Sequence, residues 1–287
     1  MKKKEFIDLG ERGKYSLKNK INNLTGKEWI KFTKSWFIHR PPRRNGGEIL
    51  HPAKFPETLV EDFIKFFTKE NDWVFEPFMG TGSTLIAAGN SNRNCVGIEL
   101  QKNYFKTSVI RVKERKYKKK VIPLNGDSGK LRSLLSENGI KNKFDYTITS
   151  PPYWNQLERN NLRQKVRDEL GLDTKYSSAK NDLGNIKNYE DFIEEQAKIF
   201  DQVYDVTKNL GYLTIITNNV YFKGRLFPLA FDTAKSLTQR GEKSWVLKDE
   251  KIWLQDDKPL LALGVNNAWV GNRHHQYCLI FRKEVND

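Results

Sequence analysis

The 287-residue chain is long enough for one large domain or two small ones, at roughly 150 residues per domain. Its 38% apolar content excludes compositional disorder, and no uninterrupted run of about 18 apolar residues offers a membrane span, so a soluble globular protein with no membrane partner is expected. Fifty Lys and Arg against 35 Asp and Glu leave a formal charge of +15, which points to a polyanionic partner.

The first fifty residues are basic and poor in strand pattern, and read as an appended cap on a single domain over 51–287. The opening MKKKEFIDLGERGKYS runs into polar residues instead of an apolar stretch, so a secretory signal is not expected. Around the PPRR turn, prolines fix the backbone beside Arg40, Arg43 and Arg44, whose guanidinium forks suit phosphates. In PETLVEDFIKFF (56–67) the apolar residues recur at helical spacing, with Pro56 suited to a first turn. WVFEPFMGTGSTLIAAGNS then reads as strand, glycine turn and helix. CVGIEL (95–100) is a second strand followed by a helix through Tyr104, Val109 and Ile110, and VIPLNGD a third strand followed by the helix KLRSLLSENG. FDYTITSPPY (144–153) is a fourth strand ending in prolines, 188–206 a long helix, and GYLTIITNNV (211–220) a fifth strand. A helix over 229–239 and two late strands, 251–255 and 276–282, complete the pattern.

Strands alternating with helices predict an α/β, Rossmann-like sheet: mostly parallel, helices on both faces, the last two strands forming an antiparallel edge hairpin. The stretch 155–187 is polar, charged and weakly periodic, and a loop this long is usually functional or mobile. Cys95 and Cys278 lie far apart in apolar runs, with neither disulfide nor zinc spacing, which fits a reducing cytoplasm. His274 and His275 are adjacent on a strand and face opposite sides, so no metal site is expected.

In EPFMGTGST, Gly80 and Gly82 let backbone amides approach a ligand at the carboxyl end of the first strand of this alternation. A nicotinamide fingerprint would place a third glycine where Leu85 stands, and a phosphate loop would need Gly-Lys-Ser/Thr, so a diphosphate is the wrong ligand. Glu99 follows Gly80 by 19 residues at a strand tip from which a carboxylate can accept both hydroxyls of a ribose. Asp127 could accept from an adenine amino group or merely cap the next helix; Glu76 could meet a ligand ammonium or complement the helix dipole. The ligand expected is a nucleoside without a phosphate chain.

The string TSPPYW ends the fourth strand on the same edge. Pro151 and Pro152 remove two amide donors and leave carbonyls free to accept, beside the Ser150 hydroxyl and the flat faces of Tyr153 and Trp154. Such a pocket can stack an amine-bearing base and take its two N–H bonds on Ser150 and the Pro151 carbonyl. Trp253 and Gln255 are further candidates for its wall.

Together these strings resemble the DNA amino-methyltransferases that modify cytosine N4 or adenine N6 with S-adenosylmethionine. EPFMGTGST is similar to their methionine-binding loop, VGIEL to their ribose-binding strand, NGDS to their adenine contact and TSPPYW to their catalytic tetrad; HPAKFPE (51–57) resembles the segment closing over the methionine end, and HHQYCLIFRK the closing strand. The resemblance assigns His51, Phe55, Glu76, Phe78, Gly80, Gly82, Glu99 and Asp127 to the cofactor, and Ser150, Pro151, Pro152 and Tyr153 to the target base. Many members carry Asp where Glu76 stands. The cofactor half precedes the catalytic half, unlike members that begin with the catalytic motif, and no large target-recognition insert is present. Sequence reading therefore falls to 155–187, 256–273 and the basic N-terminal region, with Arg40, Arg43, Arg44 and Trp154 as DNA contacts. Serine at 150 tilts the target toward cytosine N4, with adenine N6 second; an RNA or protein amino-methyltransferase, or a non-catalytic nucleic-acid-binding module, are more distant readings. Double-stranded DNA is the implied partner, with a separately acting restriction endonuclease possible.

Overall fold

A computed structural model describes residues 6–8, 10–12, 14–16, 18–40, 56–155 and 182–285. An eight-stranded sheet organises them. In chain order the strands are β3 (Trp36–Ile38), β4 (Trp73–Glu76), β5 (Asn94–Glu99), β6 (Val121–Asn125), β7 (Phe144–Thr149), β8 (Thr207–Thr217), β11 (Val246–Leu254) and β12 (His275–Arg282), and their spatial order is β3-β11-β12-β8-β7-β4-β5-β6. Two small hairpins, β1 (Phe6–Asp8) with β2 (Lys14–Ser16) and β9 (Val220–Phe222) with β10 (Arg225–Phe227), stand outside it. β12 is antiparallel to both neighbours and every other adjacent pair is parallel, so the start of β12 lies at the carboxyl edge of the rest.

Helices cover both faces, as the pattern predicts. On one, α5 (Leu131–Glu137), α6 (Tyr189–Val206) and α7 (Leu229–Thr238) contribute Leu131, Leu135, Phe192, Phe200, Leu229 and Leu237 to a core around Phe75, Phe144 and Leu213. On the other, α2 (Glu57–Phe67) and α3 (Ser83–Asn90) pack on Val74, Tyr146 and Ile148. The six apolar residues read from the α2 pattern are all buried, each worth about 1.5–3 kcal/mol relative to exposure. α4 (Lys102–Lys113) flanks α3 with one face in solvent.

The N-terminal region is more than a cover. α1 (Gly26–Phe32) stacks Phe32 on Phe66 of α2, ring centroids 4.0 Å apart, and β3 pairs in parallel with β11. The expected β11–β12 hairpin is present, with β3 outside it; three residues are too few to show a strand period. β8 begins at Thr207, before the expected 211. Asn209-Leu210-Gly211 reads as a turn, and Leu210 does take a left-handed φ of 64°, but the ladder with β7 continues across the irregularity.

Gly97, in the middle of β5, is required by close approach: a Cβ there would meet Leu85 Cδ1 at 2.4 Å and Met79 Sδ at 2.7 Å. Met79 belongs to the glycine turn, so Gly97 lets that turn lie down on the sheet. Gly97→Ala is expected to cost about 1–3 kcal/mol by overpacking, read as a lower denaturant midpoint with an unchanged m-value.

Candidate active site

Residues leaving the parallel strands β8, β7, β4, β5 and β6 emerge along one carboxyl edge, where open α/β sheets bind ligands. Glu76 ends β4 and is 2% exposed. Its Oε1 accepts from the Phe78 amide at 3.0 Å and from the Thr149 hydroxyl, and its Oε2 accepts from Thr84 Oγ1 at 2.9 Å. Thr149 closes β7 immediately before Ser150, so one buried carboxylate ties the glycine-turn segment to the SPPY segment. Burial pushes the Glu76 carboxyl up to about 7 despite these three donors.

Glu99 ends β5 and accepts from the Gly80 amide at 2.9 Å and the Gln101 amide at 2.8 Å, one on each oxygen. Burial raises it to about 7 as well. Gly80 and Gly82 both take left-handed φ values, 53° and 87°, which turn the loop into the start of α3. Arg111 of α4 donates to the Thr81 carbonyl and pairs with Glu57, pinning the loop from outside. Phe78 is partly buried against the core. Asp127 follows β6, and its Oδ1 accepts from the Gly129 amide at 2.8 Å, so the capping half of its two readings is realised, at a half-buried position on this same edge.

After β7, Pro151 is buried while Ser150, Pro152 and Tyr153 are half-buried. Ser150 Oγ donates to Tyr153 Oη at 3.2 Å, and Tyr153 Oη donates to Gln276 Oε1 at 3.0 Å. Trp154 corrects the expectation of a DNA-facing ring. It is 4% exposed, its Nε1 donates to the Lys187 carbonyl at 3.1 Å, and Tyr189, Phe222 and Phe227 enclose it with centroids 4.5–5.5 Å away. A core formed by α6 and the β9–β10 hairpin claims the faces that a base would need. Trp253 is likewise 5% exposed within the α2–α3 core.

Arg40 pairs with Asp256 at 3.1 Å, both side chains open to solvent, and so links the N-terminal region to the 256–273 loop. In that loop Asn272 clasps Leu261 through both backbone groups, at 2.9 and 2.8 Å, and Trp269 is 92% exposed. His51, Phe55, Arg43, Arg44 and residues 156–181 lie outside the described residues.

The sequence reading missed Thr84, Thr149 and Gln276. Thr149 is fully buried at the end of β7, and Gln276 precedes YCLIF; a polar residue at the ligand-edge end of a buried strand was the available signal.

A buried carboxylate, Glu76, and a half-buried one, Glu99, form no ion pair among the described residues of a chain of charge +15, and fit a ligand bringing its own positive charge. Both Glu99 oxygens also keep lone pairs that hydroxyls can occupy. The ammonium and ribose of S-adenosylmethionine supply both features, and Glu76, Gly80, Gly82 and Glu99 are the residues that would hold it.

A family model described as DNA methylase matches residues 2–110 and 144–287. Among curated relatives, the type II methyltransferase M.BglI of Bacillus subtilis is 36% identical over 87 residues, 30% of this chain and 24% of the relative. The orphan methyltransferase M.BamHII of Bacillus amyloliquefaciens is 46% identical over 63 residues, 22% of this chain and 24% of the relative. The type II methyltransferase M.BglII of Bacillus subtilis is 28% identical over 114 residues, 40% of this chain and 31% of the relative. The matched stretches thus span under a third of these relatives' lengths. TrmN from Thermus thermophilus overlays with a TM-score of 0.49 at 8% identity, covering 81% of this chain and 50% of that one, too distant to inform the site. With the family model spanning most of its length, the chain belongs to the N6/N4 DNA methylases, whose methyl donor is S-adenosylmethionine.

Proposed function

We propose that this protein methylates the exocyclic N4 amine of a cytosine flipped out of duplex DNA. The observation that carries the reading is the join between Glu76 and Thr149, which sets a cation-seeking carboxylate against the segment bearing Ser150 to Tyr153. S-adenosylmethionine supplies an electrophilic methyl group on a sulfonium. Glu76 holds the ammonium end and Glu99 the ribose hydroxyls, with Asp127 toward the adenine and His51, Phe55 and Phe78 completing the cofactor contacts. Tyr153 stacks on the flipped base. Ser150 Oγ and the Pro151 carbonyl accept its two N–H bonds, which keeps the nitrogen lone pair free to point at the methyl carbon. Bound there, the sulfonium would take back the C–S electron pair as the amine took the methyl carbon, and the surplus amine proton would leave past Ser150 to solvent.

Arg40, Arg43 and Arg44 bind phosphates, and residues 155–187 and 256–273 read the duplex, the second loop presenting a solvent-facing Trp269 and meeting Arg40 through Asp256. Residues 51–287 carry the catalytic machinery, and the N-terminal region is built onto them through β3 in the sheet and α1 against α2. Relatives named type II methyltransferases support a restriction endonuclease that acts separately on the same sites. Serine at 150 favours cytosine over adenine, the family's other amine target. Methylating duplex DNA with labelled S-adenosylmethionine and digesting to nucleosides is expected to yield N4-methylcytosine. Label only on adenine N6 overturns the choice of base, and label on RNA or a peptide in preference to duplex DNA overturns the choice of polymer.

A further inference from the structure

We infer that Gln276, the second residue of the reversed strand β12, is a positioning residue that fixes which way the hydrogens of Ser150 and Tyr153 point; this rests on the proposed use of Ser150 as an acceptor. Gln276 lies 123 positions beyond Tyr153 in the chain and reaches it only because β12 starts at the carboxyl edge. It stands opposite Trp253 in the β11–β12 ladder, and the neighbouring His275 carbonyl accepts from Asn218 Nδ2 at 3.0 Å, which anchors the strand start to the end of β8.

The amide oxygen of Gln276 has no hydrogen to give, so the hydrogen in its 3.0 Å contact with Tyr153 Oη is the phenol's. A phenol has one hydrogen. With that one committed to Gln276, Tyr153 Oη can only accept from Ser150, and the hydrogen in the 3.2 Å Ser150–Tyr153 contact is the serine's. Ser150 Oγ then has only lone pairs left for a ligand, the polarity a base N–H requires. Without an acceptor at 276 the phenol hydrogen is released to turn toward Ser150, the serine hydrogen swings outward, and a donor faces the donor of the substrate amine.

Three variants and one spectroscopic probe test this. Gln276→Leu keeps the size and removes the acceptor; its kcat is expected to fall roughly 10-fold to 100-fold, with KM for S-adenosylmethionine unchanged. Gln276→Glu, assayed at pH 8, retains an acceptor oxygen and is expected to keep most of the wild-type rate. Tyr153→Phe is expected to be slow in the wild-type background and to add nothing in Gln276→Leu, because both changes break the same chain. In protein labelled with 13C at tyrosine Cζ, the Tyr153 resonance, identified by its loss in Tyr153→Phe, is expected to shift in Gln276→Leu and to hold in Gln276→Glu. An unshifted resonance in Gln276→Leu, or additive losses in the double variant, overturns the role of Gln276. A resonance that shifts in Gln276→Leu, in a protein whose wild type transfers no methyl group to DNA, instead overturns the methyltransferase reading and leaves the hydrogen-bond chain standing.

Discussion

Ser150→Ala is expected to slow the methyl-transfer step on the order of 10²–10³-fold while leaving cofactor affinity unchanged. Ser150 follows the last residue of β7, and its oxygen is the side-chain acceptor beside the two prolines; its hydrogen is already given to Tyr153. Alanine leaves one amine N–H of the bound base without its side-chain partner, so the nitrogen lone pair drifts from the line of attack. The loss falls on the chemical step because the bond matters most as the amine becomes cationic and sheds a proton. Single-turnover rates with labelled S-adenosylmethionine on a duplex measure it, with calorimetry of cofactor binding as the control. An unchanged single-turnover rate removes Ser150 from the mechanism. A matching loss of cofactor affinity reassigns it to cofactor binding.

The affinity for S-adenosylmethionine is expected to rise with pH up to about 7 and then level, and Glu76→Gln to remove part of that rise. Folding lifts the Glu76 carboxyl from its ordinary 4.5 to about 7, and burial also lifts Glu99 to about 7. Between those values the folded protein keeps a proton that the unfolded chain has lost. The ligand-free protein is therefore most stable, with respect to these groups, below about pH 4.5, and loses stability as pH climbs through 7. For Glu76 alone the loss is about 3 kcal/mol. A cationic ligand favours the ionised carboxylate, so binding below pH 7 expels a proton, and affinity gains up to about tenfold per pH unit for each carboxylate involved. Calorimetry in buffers of different ionisation heat counts the protons released. Glu76→Gln should release fewer and bind roughly 10-fold to 100-fold more weakly, the worth of one charged hydrogen bond. Affinity that is flat between pH 5.5 and 8 would mean that Glu76 does not face the cation.

The alternation of strands and helices was legible because each buried strand is a short apolar run and each helix carries an apolar stripe; α2 shows both the pattern and its burial. What escaped was set by neighbours far along the chain. β3 counts as a strand only because β11 offers it a ladder, and the β9–β10 hairpin turns on Lys223 and Gly224, both with left-handed φ, in a stretch without strand alternation. At the site, Glu76, Gly80, Gly82 and Glu99 were readable because their spacing is tied to one strand–turn–helix unit and the strand after it. Thr149 and Gln276 act through side chains that meet across the sheet, which no local spacing records. Trp154 was misjudged for the same reason: an aromatic next to a ligand edge is a platform or a wall according to what packs on it, and here Tyr189, Phe222 and Phe227 decide.

The side-by-side placement of β4 and β7 has a consequence for ancestry. Every bond that unites the acidic tip of one strand with the threonine of the other runs sideways, so it is indifferent to which strand the ribosome makes first. A gene rearranged to encode the β7 half ahead of the β4 half would rebuild the same junction, provided its new loops let the sheet keep its order. Cutting and rejoining such genes is thus a small step for the chemistry, and changing any one of Glu76, Thr84 or Thr149 is a larger one.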